Sequence, residues 1–347
     1  MVQPGARSRI VLAIIWLLLG AAMLAVPAWL GWTRWSTILS GHPVLLAMTI
    51  VCAAFGLIAV FWAIGSLIVG GRQDREGDDW HPARRTPSEL RRRARLRIVL
   101  AVPALLVCGV LVGVLAYSRP FAAAPVALAA LSPNDRVRVA DRITWYEMSP
   151  IKEDRAGNAI PPTTGLVLVP GARVDSRAYA HVLHPLVEAG YLVAVLKEPL
   201  GFSVLDPNHA ETLLEVHPEI TYWALAGHSL GGVTAASVAD GNERVNGLVL
   251  FGSYPGSRIV RTDLKVTTVF GSADGLTTPA DIDGSRGSLP AHTSYVEVPG
   301  AVHSWFGDYG DQPGDGTGSG DRAAAQAMIT EATRALLASL TPPPKKK

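Results

Sequence analysis

Three long apolar runs, residues 10–30, 44–69 and 98–116, limit what the first third of this 347-residue chain can become. No Asp, Glu or Lys interrupts any of them. Each reaches the roughly 20 residues that an α-helix needs to cross a hydrocarbon core. A buried helix of a soluble domain would seldom run so long without a polar face. The sequence therefore predicts a membrane region, residues 1–118, with three transmembrane helices and a lipid bilayer as its partner.

Arginine sets the expected orientation. Residues 72–97 hold nine Arg against five acids, whereas residues 31–43 hold only Arg34 and the N-terminus carries Arg7 and Arg9. The positive-inside bias then places the N-terminus and the 72–97 connection in the cytoplasm, and everything after the third span on the extracytoplasmic side of the cytoplasmic membrane. Replacing the first span by a cleaved signal peptide would leave that conclusion unchanged. The stretch "LRRRARLR" at 90–97 also has the charge to meet anionic headgroups. Over the whole chain the formal net charge is only +2, which gives no reason to expect a nucleic-acid partner. Protein partners are not indicated either way. Cys52 and Cys108 both fall inside predicted spans, so the outer part has no disulfide and no thiolate chemistry of its own.

Beyond the third span, Pro120, Pro125 and Pro133 mark residues 119–134 as a linker. Residues 135–340 are the size of one globular domain, and "TPPPKKK" closes the chain with a solvated tail, residues 341–347. Within the domain, short β-branched apolar runs alternate with helical patterns. Strands are predicted at 143–148, 166–169, 191–196, 222–226, 247–251, 266–270 and 294–298. Helices are predicted at 176–189, 230–239 and 321–340, the last capped by Asp321 with an Ala324, Met328, Ala332, Leu336 stripe. This alternation specifies an α/β fold, a mainly parallel sheet with helices on both faces. Ligands of such sheets bind at the carboxyl ends of the strands.

One of those ends reads "YWALAGHSLGGVTAASVAD", an apolar strand, a glycine-rich turn and a helix, with Ser229 between Gly227 and Gly231. A serine on such a turn exposes its Oγ, and the helix start after it offers amide N–H groups to a developing oxyanion. The segment lacks the spacing of either phosphate-binding glycine motif. A nucleophilic serine needs a base, and the base needs an orienting group. "GSADGLTTP" after the 266–270 strand supplies Asp274, with Asp281 and Asp283 as rivals. "PGAVHSWFGDYG" after the 294–298 strand supplies His303, and His292 is the other histidine in reach. The order Ser, Asp, His is that of one serine-hydrolase fold and differs from two others.

From about residue 136 to 340 the chain resembles the α/β-hydrolase family, in its minimal, dienelactone-hydrolase-like form. "LVLVPGARVDSRAY", "AGHSLGG", "FGSADG" and "GAVHSWFGDYGDQPGDG" carry the resemblance. It implies Ser229 as nucleophile, His303 as general base and acid, and Asp274 as the group that fixes the histidine tautomer. The resemblance also implies an oxyanion hole made by the N–H of Leu230 and by a second N–H from "PGA", that of Gly171 or Ala172. Dienelactone hydrolases proper have Cys where this chain has Ser229, so their lactone substrate does not carry over.

The expectation is a membrane-anchored serine hydrolase acting on a small or lipid-like carboxylic ester, thioester or lactone, with no metal and no organic cofactor. An acyltransferase using the same triad, and a non-catalytic binding module on a membrane anchor, are the alternatives. The acidic loop bearing Asp308, Asp311 and Asp315 lacks the spacing of a calcium loop and reads as a solvated one. His228 is expected beneath the nucleophile turn. Lys197 and Glu198 end a strand where they face either the site mouth or solvent.

Overall fold

A computed structural model describes residues 4–76 and 87–341. The predicted tail from 342 onward and residues 77–86 of the arginine-rich connection lie outside the described residues. The chain forms two compact units, one made by the residues up to Trp35 and by Val44–Arg119, the other by Ser36–Pro43 and the residues from Pro120 onward.

The first unit contains α1 (Pro4–Ser40), α2 (Pro43–Glu76) and α3 (Pro87–Tyr117). Within them Arg9–Ser40, Pro43–Val69 and Arg95–Tyr117 are long and apolar enough to cross a membrane. The first helix runs further than the sequence predicts, because nothing between Gly31 and Ser40 stops it. Its backbone leaves helical angles only at Arg34, and the chain turns at Gly41 and His42 before Pro43 starts α2. Buried positions recur at Ala13, Gly20, Met23, Pro27 and Leu30 on α1, and at Cys52, Gly56, Ala59 and Ala63 on α2. These steps of three, four and seven draw one seam along each helix. At its centre a Cβ on Gly20 would lie 3.1 Å from the Gly56 carbonyl, and one on Gly56 would lie 3.0 Å from Met23 Cβ. Small residues of this kind let apolar helices approach closely where no water drives them together.

The second unit is built on one eight-stranded sheet: β1 (Val137–Asp141), β2 (Trp145–Pro150), β3 (Thr164–Val169), β4 (Leu192–Leu196), β5 (Tyr222–His228), β6 (Val245–Phe251), β7 (Lys265–Gly271) and β8 (Ser294–Val298). Their order is β1-β2-β4-β3-β5-β6-β7-β8; β2 pairs antiparallel with both β1 and β4, and the other pairings are parallel. Strand β3 shows why the sheet is covered twice. Leu166 and Leu168 enter one apolar cluster with α5 (Ala180–Ala189) and α9 (Arg322–Leu340). Val167 and Val169 enter the other, with α6 (His209–Val216) and α7 (Leu230–Gly241). Alternating side chains that are all apolar leave neither face able to meet water.

The predicted strands all form, four of them with ends extended by one or two residues, while the one predicted at 143–148 is displaced to Trp145–Pro150 and leaves Ile143 exposed in the turn before it. One further strand, β1, goes beyond the sequence prediction, since its "VRVAD" is only five residues long and Ala140 interrupts the alternation of apolar and charged residues. The helix predicted at 176–189 opens as a 3-10 turn, Ser176–Tyr179, before α5. Asp321 does cap α9, accepting the N–H of Ala323. The predicted stripe on that helix holds in its second half, where Leu336 is buried and Ala332 packs against the core, but not in its first: Ala324 and Met328 are exposed, and Ala325 and Ile329 are buried in their place. Residues 119–134, read as a linker, carry the short helix α4 (Pro125–Ala129), and Phe121 pairs with Val174 in the second unit. Short α8 (Pro279–Ser285) follows β7.

From β3 the chain crosses to β4 on one side of the sheet and then to β5 on the other. The connections therefore diverge at the carboxyl ends of β3 and β5. Open α/β sheets form their ligand crevice at such a switch point.

Candidate active site

At that crevice Ser229 is the single residue between the end of β5 and the start of α7, with φ 54 and ψ −125. Only three non-glycine residues among those described have positive φ: Ser229, Arg173 and Leu200. All three follow carboxyl ends, of β5, β3 and β4 respectively. Backbone strain gathered at one edge of a sheet costs stability and persists where the surroundings enforce it. Here the enforcement is visible. Ser229 N–H donates to the Phe251 carbonyl at 3.0 Å, and Ser253 Oγ donates to the Ser229 carbonyl at 2.7 Å.

The glycines of "AGHSLGG" are required by contact. A Cβ on Gly227 would lie 2.4 Å from the Gly231 carbonyl oxygen, and one on Gly231 would lie 2.2 Å from the carbonyl oxygen of Val169. Strand, turn and helix thus meet backbone to backbone, which brings the end of β3 beside Ser229.

Asp274 and His303 come together behind this turn. His303 Nδ1 lies 2.8 Å from Asp274 Oδ2, and both side chains are fully buried. The other carboxylate oxygen, Oδ1, accepts the N–H groups of Leu276 (2.9 Å) and Thr277 (2.7 Å). So fixed, the carboxylate takes the Nδ1–H of a neutral imidazole and leaves Nε2 as a lone-pair acceptor. His303 Nε2 is buried and has no hydrogen-bond partner; no hydrogen bond joins it to Ser229 Oγ. Ser229 itself is half-buried. Gly252, at φ 46, backs the pair: a Cβ there would meet Asp274 Oδ2 at 2.9 Å and His303 Nδ1 at 3.2 Å.

The rival residues have other partners. Asp281 forms a capping box with Thr278 at the start of α8, Asp283 pairs with Arg286, and His292 Nε2 bonds the Leu264 carbonyl. His228 is fully buried beneath the turn, its ring 4.6 Å from that of His303. Its Nδ1 lies 2.9 Å from Tyr179 Oη, which also accepts the Gly171 N–H at 2.9 Å. With Gly171 donating, the tyrosine proton goes to His228 Nδ1, and the imidazole carries its own proton on Nε2. Burial raises the Tyr179 phenol and lowers the His228 imidazole pKa, the latter with help from the neighbouring His303, so the pair stays neutral.

The same bond separates the two candidate N–H groups of the β3 turn. Gly171 is engaged by Tyr179, whereas among the described residues no acceptor is placed on the N–H of Ala172 or of Leu230.

Three further outcomes were not visible in the sequence. Asp315, read as part of a solvated loop, accepts the N–H groups of His303 and Ser304, both at 2.9 Å, and of Gly316 at 2.7 Å. It holds the backbone that carries His303. Asp308 bonds Arg322, Gln326 and His181, and Trp305 packs against Gly318. Lys197 and Glu198 are buried rather than on the surface. Lys197 Nζ binds Asp141 Oδ1 and the Arg142 carbonyl across the β1–β2 turn, and Glu198 faces His209 at 3.6 Å.

Residues 165–327 match a family model described as an α/β-hydrolase family. No curated protein matches the chain. Among solved structures it is similar to a ferulic acid esterase from Streptomyces cinnamoneus, with TM-score 0.44 and 16% identity over 58% of this chain and 85% of that one. A second similar structure, assigned as a dienelactone hydrolase from Klebsiella pneumoniae, has TM-score 0.42 and 16% identity over 55% and 92%. Sheet order and family match agree on an α/β-hydrolase fold for residues 165–327.

Proposed function

We propose that this protein is a membrane-anchored serine hydrolase that cleaves a carboxylic ester, thioester or lactone. The observation that carries the reading is the fully buried Asp274–His303 pair, bonded at 2.8 Å, behind a half-buried serine in strained backbone geometry. Ser229 Oγ bonds to the substrate's carbonyl carbon while His303 Nε2 takes its proton. Negative charge gathers on the carbonyl oxygen, where the N–H groups of Leu230 and Ala172 receive it. His303 then returns the proton to the departing oxygen or sulfur. Water, deprotonated by the same Nε2, resolves the acyl-enzyme. Asp274 keeps the imidazole in the one tautomer able to do this.

Anchoring rests on the three helices long and apolar enough to cross a membrane, and the arginine bias supports an extracytoplasmic hydrolase domain. One experiment tests chemistry and side together. Intact cells producing the wild-type chain should hydrolyse a membrane-impermeant activated ester, and cells producing Ser229→Ala should not. Activity that appears only after lysis would refute the orientation, and equal activity of both chains would refute the nucleophile.

A further inference from the structure

The loops around Ser229 carry exposed apolar side chains where a water-soluble substrate would require none. Val204 and Leu205, after β4, are 53% and 55% exposed; Tyr254, after β6, and Leu276, after β7, are each 39% exposed. Each is tied to the site through an immediate neighbour or its own backbone. Ser203 Oγ bonds Thr234 Oγ1, on the helix headed by Ser229, at 2.7 Å. Ser253, next to Tyr254, donates to the Ser229 carbonyl. The Leu276 N–H binds the Asp274 carboxylate. Other apolar side chains of this unit are exposed too, but Val260, for example, sits at the opposite edge, where its N–H binds Asp240 near the end of α7. Isolated exposed apolar residues are ordinary; several on loops that follow strands on both sides of β5, which carries Ser229 at its end, are not.

Chain connectivity says what meets them. The third span ends at Tyr117, and a terminal tyrosine is at home in the interfacial layer of a bilayer. Four residues later, Phe121 donates its N–H to the Arg173 carbonyl at 2.7 Å and accepts the Asp175 N–H at 2.9 Å. Phe121 is thereby fastened to the turn that carries Ala172. Four residues span at most about 14 Å, so no more than that length of chain joins the end of the span to Phe121. The 252–264 connection between β6 and β7 contains no helix or strand that would cover the edge.

From these observations, which rest on the proposed hydrolase reading, we infer that the apolar rim of Val204, Leu205, Tyr254 and Leu276 dips into the bilayer surface and that the substrate is an acyl ester presented by the bilayer. The rim gives the acyl chain an apolar path from the membrane to Ser229 without passage through water. Short, freely soluble esters then reach the same serine without using the rim.

The test uses the full chain reconstituted in phosphatidylcholine vesicles, with two substrates: p-nitrophenyl acetate in the buffer and p-nitrophenyl palmitate dissolved in the vesicles. The double variant Val204→Ser/Leu205→Ser should lose about tenfold or more in kcat/KM on the palmitate, the scale expected when two apolar contacts are removed. On the acetate it should change less than about twofold, because neither residue belongs to the catalytic machinery. Leu205→Phe, which keeps the rim apolar, should retain the palmitate rate. An unchanged palmitate rate in the double variant, equal losses on both substrates, or a wild type that cleaves acetate but not palmitate would each overturn the inference while leaving the hydrolase reading intact. A wild type inert toward both substrates and toward a fluorophosphonate would overturn that reading and the inference with it.

Discussion

Replacing His303 by Ala is expected to lower kcat on an activated ester by about four to six orders of magnitude, with KM changed far less. The size follows from what the residue alone can do. His303 Nε2 is the buried lone pair facing outward from the Asp274 bond, so without it Ser229 Oγ keeps a proton that no other described group is placed to accept. His228 cannot stand in, because its Nδ1 is occupied by Tyr179 and its fold-buried ring is held below the turn. Asp274→Asn is expected to cost about 10⁴-fold through a different route. The amide would donate to His303 Nδ1 and turn the proton to Nε2, the nitrogen that must accept. Steady-state kinetics on one soluble ester check both. If His303→Ala retains more than about a tenth of the wild-type kcat, the proton route is wrong.

The second large effect is expected from a single methyl group. Gly231→Ala would place a Cβ 2.2 Å from the Val169 carbonyl oxygen and 2.3 Å from that of Pro170, and neither is the flexible end of a side chain. Either α7 moves off β5, or the β3 turn moves away from Ser229. Forced backbone shifts of this kind cost about 3 kcal/mol, which for a domain of this size lowers Tm by about 10 °C. The moved turn is the one that carries Ala172, so even the folded fraction should lose about 100-fold in kcat/KM. Thermal unfolding together with kinetics below the transition checks both parts. A Gly231→Ala protein with wild-type Tm and activity would mean that strand, turn and helix do not meet as closely as described.

How far the fold could be read in advance depended on the element. Strands β3 to β7 were legible because each is an apolar run between turn residues, and a parallel sheet covered twice demands such runs. Strand β1 was not, since Val137 and Val139 alternate with Arg138 and Ala140 over too few positions to show a period. On α9 the cap at Asp321 was legible from chemistry, but the buried face of its first half was not. The helix is rich in Ala near its start, and two neighbouring four-residue stripes begin at Ala324 and Ala325; Ile329 and the sheet decide for the second there.

Among the site residues, Ser229, Asp274 and His303 each follow a strand end, which sequence can show. The groups that hold them act through contacts with no motif. Tyr179 works by taking the Gly171 N–H and facing His228, a role set by how α5 packs. Asp315 works through its carboxylate and the backbone of a loop that is sequence-near but has no regular period. A turn-forming Asp-Gly pair in a loop after the histidine was the only available signal, and it equally describes a solvated loop.

Covalent mapping shows whether Ser229 is a nucleophile activated by the buried Asp274–His303 pair. The full chain in detergent is treated with a fluorophosphonate, digested, and its modified peptide sequenced by mass spectrometry. One adduct per chain is expected, on Ser229 Oγ, absent from Ser229→Ala and strongly slowed in His303→Ala. An unmodified wild-type chain, or an adduct that forms equally well when Ser229 is alanine, would contradict that role for Ser229.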